Sequence, residues 1–225
     1  MNWAVAAATE PYRAGFLGQP ANAVSSLSFV AVGAGILVTR GWPARIRDRR
    51  TVFGLLVVGI GVGSFIQHGP HPDWQAYAHD LPLAATLAFV AADAMSDLRG
   101  RELSERWWLV PSVAMVPVVA VGPSASTAAQ AALASAAIGL SLLRVRKRPA
   151  LRATVIAALA TAAAGAVLGR LLDRTAVHQS AGLIQGHALW HVLAAAALWQ
   201  LVPAVGARSV TAADEEVPAD PQPQQ

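Results

Sequence analysis

Two short segments of this chain contain residues that could bind a metal ion and support hydrolysis. The first, GSFIQHGPHPDWQAYAHDLP, covers residues 63–82, and the second, HALWHVL, covers residues 187–193. They place a hydroxyl, a carboxylate and three imidazoles in an otherwise apolar protein: Ser64, Asp80, His68, His187 and His191. Such groups are costly near a bilayer and mark functional sites there. Three histidines with an open fourth position also form the ligand set of a catalytic zinc ion.

The spacing of these residues suits one site built on helices. His187 and His191 are four residues apart, as are Ser64 and His68, so the members of each pair share one helix face. One such pair is a weak signal, because packing or interfacial histidines have the same spacing. Two pairs at one membrane depth, with Asp80 beside them, favour a metal site. The other histidines are expected to be solvated or supporting groups rather than ligands: His71, His79 and His178.

The composition is typical of a membrane protein. Of 225 residues, 55% are hydrophobic and 13% are charged, whereas a soluble domain has about 25% charged residues. Cysteine is absent, which excludes disulfides and thiolate metal ligands. The formal net charge is +4, but the basic residues flank apolar blocks, so we expect the bilayer and not a nucleic acid as the partner.

The apolar blocks predict an all-α integral membrane protein with seven transmembrane helices. A helix needs about 20 mostly apolar residues to cross a bilayer. Seven segments approach that length, at roughly 20–40, 51–68, 78–96, 106–122, 126–143, 152–172 and 184–204. The fifth and sixth are rich in alanine, and a long amphipathic hairpin is the alternative for them. The basic residues between the two, including Arg144 and Arg148, favour two spans joined by a cytoplasmic loop.

The basic residues also predict the orientation. Most of the 17 Lys and Arg residues lie between spans 1 and 2, 3 and 4, or 5 and 6. The positive-inside rule then places the N-terminus outside and the C-terminus in the cytoplasm. In that topology the candidate site lies toward the outer face of the membrane. We expect one hydrolase domain over residues 1–205 and a disordered, Pro-containing cytoplasmic tail over residues 206–225.

Four motifs in this order resemble the alkaline ceramidase family. They are EPYRAGFLGQPANAVSSLSF at residues 10–29, GSFIQH, HDLP and HALWH. That family belongs to a wider group of seven-span zinc hydrolases that also includes the progestin and adiponectin receptors. The resemblance implies that three histidines hold Zn²⁺, that one carboxylate activates the attacking water, and that one hydroxyl steadies the oxyanion. In this chain these are His68, His187 and His191, then Asp80, then Ser64.

The N-terminal segment departs from the family pattern. Eukaryotic members build a calcium site from acidic residues there, and this chain retains Glu10 and Asn22. Gln19 stands where an acidic residue is expected, so the resemblance does not imply a complete Ca²⁺ site in this chain. The alternative role of Glu10 and Asn22 is structural, as hydrogen-bonding or capping groups at the start of the first span.

The expected activity is hydrolysis of a linear amide in a ceramide-like or other N-acyl lipid, giving a fatty acid and a long-chain amine. The alternative is a zinc-containing receptor or sensor of the progestin and adiponectin receptor type, without turnover. A transporter is disfavoured, because the inner halves of the spans are almost purely apolar, with Asp93 as the exception. The abundance of alanine and arginine suggests a bacterial cytoplasmic membrane.

Overall fold

A computed structural model describes residues 10–39, 48–173 and 185–207. Within these ranges the chain forms α-helices and one short 3₁₀ turn, Pro149–Leu151, and no strand. The helices are α1 Pro20–Val38, α2 Arg49–His68, α3 Gln75–Leu98, α4 Arg106–Val121, α5 Pro123–Lys147, α6 Arg152–Asp173 and α7 Gly186–Leu201. Nearly all of the predicted tail lies outside the described residues, as do the first nine residues.

Local chemistry sets several of the helix starts. Pro20 and Pro123 occupy the first positions of α1 and α5, where a missing N–H leaves no helical hydrogen bond unmade. At α2, the Asp48 carboxylate accepts a hydrogen bond from the backbone N–H of Thr51 at 3.3 Å, which satisfies one free donor of the first turn. These three helix starts lie within three residues of the predicted starts of the apolar blocks.

Five segments are long and apolar enough to cross a membrane: α1, α2, α3, α5, and α6 together with its preceding 3₁₀ turn. Helices α4 and α7 have 16 residues each, which is shorter than the roughly 20 that a perpendicular span requires. Helices α5 and α6 pack mainly against α3 and α7 respectively. That arrangement favours two separate segments over the alternative of one amphipathic hairpin.

The packing order brings helices from both ends of the chain together. Helix α1 lies between α2 and α7, α3 packs against α2, α4 and α5, and α6 packs against α7. The central core consists mainly of large apolar side chains from the first three helices, namely Phe29, Ile36, Phe53, Val57, Ile60 and Phe89. This order places the start of α7 beside the start of α1 and the end of α2.

Glycines allow the helices around the core to approach closely. A Cβ at Gly61 would lie 2.8 Å from the backbone nitrogen of Val30, and one at Gly63 would overlap the carbonyl of Ala78. Small residues at helix contacts are the usual means of association in lipid, because they bring backbones together. Gly63 directly precedes Ser64, so this contact fixes α3 against α2 near the candidate site.

Large apolar side chains cover much of the outer surface. Val110, Val113 and Val167 are 63%, 67% and 57% exposed. Soluble monomers rarely leave broad apolar areas in water, whereas lipid tails solvate such faces. The exposed surface and the long helices are together compatible with a multi-pass membrane protein.

The end of the bundle where α2 begins and α3 ends holds a buried ionic cluster. Arg144 is 4% exposed, and its guanidinium contacts Asp97 at 2.6 Å and Asp93 at 3.1 Å. Arg49 also pairs with Asp93, and Arg148 with Asp97. The sequence placed Arg144 in a loop after the fifth span, but α5 continues through Lys147. The helix continues because Arg144 is neutralised by the two carboxylates and donates to the carbonyls of Ala204 and Ala207.

Candidate metal centre

Three histidines from two distant helices meet at one end of the bundle. His68 is the last residue of α2, while His187 and His191 lie in the first turns of α7. One ligand nitrogen from each lies within 4.8 Å of the others. Nitrogens bound to a single tetrahedral Zn²⁺ at 2.0–2.1 Å are about 3.3 Å apart. Small ring rotations therefore bring this group to the spacing of a metal site, as the sequence predicted.

The hydrogen bonding of the histidines fits a metal ion. The Nε2 atoms of His68 and His187 are buried and have no hydrogen-bond partner among the described residues. Buried polar atoms are nearly always satisfied, so two unsatisfied imidazole nitrogens facing one small volume need a further partner. A cation there would accept both lone pairs. The group could hold a metal ion.

Hydrogen-bond partners at Nδ1 orient the rings of His68 and His191. Nδ1 of His68 lies 2.6 Å from Oε1 of Gln19, an oxygen that can only accept, so Nδ1 has the proton and Nε2 has the lone pair. Nδ1 of His191 lies 3.2 Å from the carbonyl oxygen of Asn22 and 2.9 Å from Oγ of Ser25. These contacts leave Nε2 of each ring as the ligand atom. Metal-binding histidines typically donate their second N–H in this way.

Ser64 lies beside the three histidines, as its position one turn before His68 predicted. Its Oγ is 3.2 Å from Nε2 of His191 and accepts a hydrogen bond from Ser26 at 2.9 Å. With the proton of His191 on Nδ1, the Ser64 hydroxyl donates its own hydrogen to the lone pair of Nε2 on that ring. Ser64 is 1% exposed, and a cation that took the Nε2 lone pair would release this hydrogen to a group bound at the centre.

Asp80 is not part of the three-histidine group. Its Oδ1 lies 2.7 Å from Nδ1 of His79, and its Oδ2 accepts a 2.5 Å hydrogen bond from Ser126 of α5. The His79 ring lies edge-on to His68, with 6.5 Å between the ring centroids. Asp80 thus reaches the histidines through His79.

The N-terminal residues have structural contacts. Both carboxylate oxygens of Glu10 accept backbone N–H groups at the start of α1, from Ala21 at 3.0 Å and Asn22 at 2.9 Å. Gln19 donates to the Glu10 carbonyl at 2.5 Å while its Oε1 faces His68. The side-chain amide of Asn22 is buried without a partner among the described residues. These contacts favour the structural role for Glu10 and link it to the three-histidine group through Gln19.

Several residues of the site were not singled out from the sequence. Ser25 and Ser26 follow Asn22 by three and four residues, and this helical spacing of polar residues in an apolar span was a signal that could have located them. Gln19 was noted only as a departure from an acidic pattern. Ser126 had no such signal, because α5 contains further hydroxyl residues at similar spacings.

Comparison with protein-family models, curated proteins and solved structures finds no match to this chain. The likeness to the alkaline ceramidase family accordingly rests on the four sequence motifs alone.

Proposed function

We propose that this protein is a membrane-embedded, zinc-dependent amidohydrolase that cleaves a ceramide-like or other N-acyl lipid. The main support is the buried group of three histidines, two of whose Nε2 atoms have no partner among the described residues. A purely structural cluster would satisfy these nitrogens within the protein. The donor set contains imidazole nitrogen and no sulfur, which suits zinc.

Each residue of the centre has a proposed role. His68, His187 and His191 hold the ion, and Gln19 and the Asn22 carbonyl keep two of the rings in the ligand tautomer. Bound zinc supplies a Lewis acid that brings the pKa of water to about 7. Once an ion takes the Nε2 lone pair of His191, the Ser64 hydroxyl would be free to donate to the carbonyl oxygen of the amide as negative charge develops there.

Proton transfer falls to the His79–Asp80 pair. Hydrolysis forms a carbon–oxygen bond and breaks the carbon–nitrogen bond, so one proton must move from water to the departing nitrogen. Nδ1 of His79 is engaged by Asp80, which leaves Nε2 to accept that proton and return it to the amine. Asp80 stabilises the positively charged ring in between, so the carboxylate predicted from the sequence acts through its neighbour.

The lipid character of the substrate follows from the setting. The centre lies in a bundle with an apolar outer surface, so an amide reaches it most readily on a molecule that partitions into the bilayer.

We further propose that all seven helices span the membrane, with the histidine end outside. The chain lacks cysteine, so single-cysteine variants test this. Asp73→Cys should react with an impermeant thiol reagent on intact cells, and Arg101→Cys only after permeabilisation.

Metal analysis is the decisive first experiment. The protein purified in detergent should contain about one zinc per chain, and the His187→Ala, His191→Ala double variant should contain none while remaining helical. Wild-type protein should then release fatty acid from ceramide or another N-acyl amine, and Asp80→Asn should retain zinc but lose turnover. A folded, metal-free wild type would refute the proposal. A zinc-loaded protein without turnover on any N-acyl lipid would favour the receptor class.

A further inference from the structure

A chain of hydrogen bonds runs from α5 toward the metal centre. Nε2 of Gln130 donates to Oγ of Ser126 at 3.1 Å, and Oγ of Ser126 donates to Oδ2 of Asp80 at 2.5 Å. The other oxygen of Asp80 binds Nδ1 of His79 at 2.7 Å. Helix α5 contributes none of the three grouped histidines, yet this chain connects it to the side of the centre formed by α3.

Ser126 differs from other hydroxyl residues in its surroundings. A serine in an apolar helix commonly bonds the carbonyl four residues earlier, as Ser135 does with Ala131 at 2.8 Å and Ser112 with Trp108 at 2.6 Å. Ser126 instead directs its hydrogen to another helix and is 2% exposed. Its oxygen accepts from Gln130, which aligns the hydroxyl.

The geometry of α3 explains why this contact matters. Consecutive helix residues point about 100° apart, so His79 and Asp80 do not face each other by default. Their hydrogen bond therefore requires the Asp80 carboxylate to keep one orientation about its side-chain torsion angles. Ser126 restrains that rotation by binding the oxygen that His79 does not use.

We propose that Ser126, aligned by Gln130, is a positioning residue that fixes the Asp80 carboxylate and thereby orients His79 toward the three histidines. This inference rests on the proposed hydrolytic function for its kinetic consequence, but the positioning itself is a property of the folded protein. Without Ser126 the carboxylate rotates more freely, and His79 loses the partner that defines its tautomer and ring orientation.

The test uses the full chain with Ser126→Ala, Ser126→Thr and the control Ser135→Ala. Histidine ring ¹⁵N NMR, with His79 assigned from a His79→Gln variant, reports the Nδ1–H tautomer directly. Ser126→Ala should shift or broaden the His79 signal, Ser126→Thr should restore it, and Ser135→Ala should leave it as in wild type. Zinc content should be unchanged in all three. For hydrolysis of an N-acyl lipid, kcat should fall about 10- to 100-fold in Ser126→Ala with KM unchanged, the range typical of lost outer hydrogen bonds at a site.

Two results would overturn the proposal. One is a His79 signal and kcat in Ser126→Ala that match Ser135→Ala. The other is a parallel loss of zinc and thermal stability in Ser126→Ala that Ser126→Thr does not restore, since that is the behaviour of a packing residue. A His79 signal that responds as expected in a protein with no turnover would support the positioning role and refute the proposed activity, so the two failures are distinguishable.

Discussion

The contact between Gln19 and His68 predicts a measurable loss of metal affinity. In Gln19→Ala, Nδ1 of His68 loses its acceptor at 2.6 Å, and the Glu10 carbonyl loses its donor at 2.5 Å. Gln19 is 2% exposed, so bulk water does not readily replace these bonds. Loss of an outer partner of a metal-bound histidine typically lowers affinity about 10- to 100-fold, which corresponds to about 1.4 to 2.7 kcal/mol at 1.36 kcal/mol per tenfold change.

The assay is competition for zinc between the purified protein and a chromophoric chelator in detergent. The matched control is Gln67→Ala, which removes the same side chain beside His68 in sequence. The hydrogen bonds described at Gln67 use its backbone carbonyl, from Tyr12 and His71, and that carbonyl remains in the variant. Gln67→Ala should bind zinc as wild type does. If Gln19→Ala binds zinc within twofold of wild type while folded, then Gln19 does not orient the ligand and the assigned tautomer of His68 is wrong.

Three further changes test the packing and charge arguments. Arg144→Ala should destabilise the protein by about 3 kcal/mol or more, because it breaks a buried ion pair. The measurement is the thermal unfolding midpoint, with Arg146→Ala at an exposed position as the control. Equal midpoints for the two variants would contradict the prediction. Gly63→Ala should lower both stability and zinc content, because its Cβ would overlap the Ala78 carbonyl, whereas Gly139→Ala meets nothing within 4 Å and should stabilise by about 0.5–1 kcal/mol. Glu10→Ala should lower the free energy of unfolding by about 1 kcal/mol, because the carboxylate caps the N-terminus of α1, and the unfolding midpoint should fall. An unchanged midpoint together with a loss of calcium binding would instead favour a role for Glu10 in a calcium site.

The sequence predicted most helix bounds closely, because long apolar runs leave little choice of structure. The four-residue spacing of His187 and His191 predicted that these two share a helix face, and the common membrane depth of the two pairs predicted that His68 lies beside them. The ends of the helices were harder to predict from the sequence. Composition alone predicts that Arg144 lies in a loop. Its burial is made favourable by the carboxylates of Asp93 and Asp97 and by the two carbonyls to which it donates.

The partners of Asp80 could not be predicted from the sequence. His79 is adjacent in the chain, but adjacency on a helix does not imply a hydrogen bond. Ser126 is one of several hydroxyl residues in an alanine-rich helix, and its selection depends on how α5 lies against α3. Interhelical contacts of this kind depend on rotation and depth of each helix, which local periodicity does not specify.

The ligands of the metal centre come from the second and the seventh helix, and their outer partners come from the start of the first. The centre therefore does not exist in a nascent chain until its last helix has joined the bundle. If the site holds zinc as proposed, the ion can bind only after α7 has packed against α1, and it would then tie the seventh helix to the second. Zinc content would for this reason report on the packing of the bundle, so a substitution in α6 that disturbs its contact with α7 should lower zinc content although α6 contributes none of the three histidines.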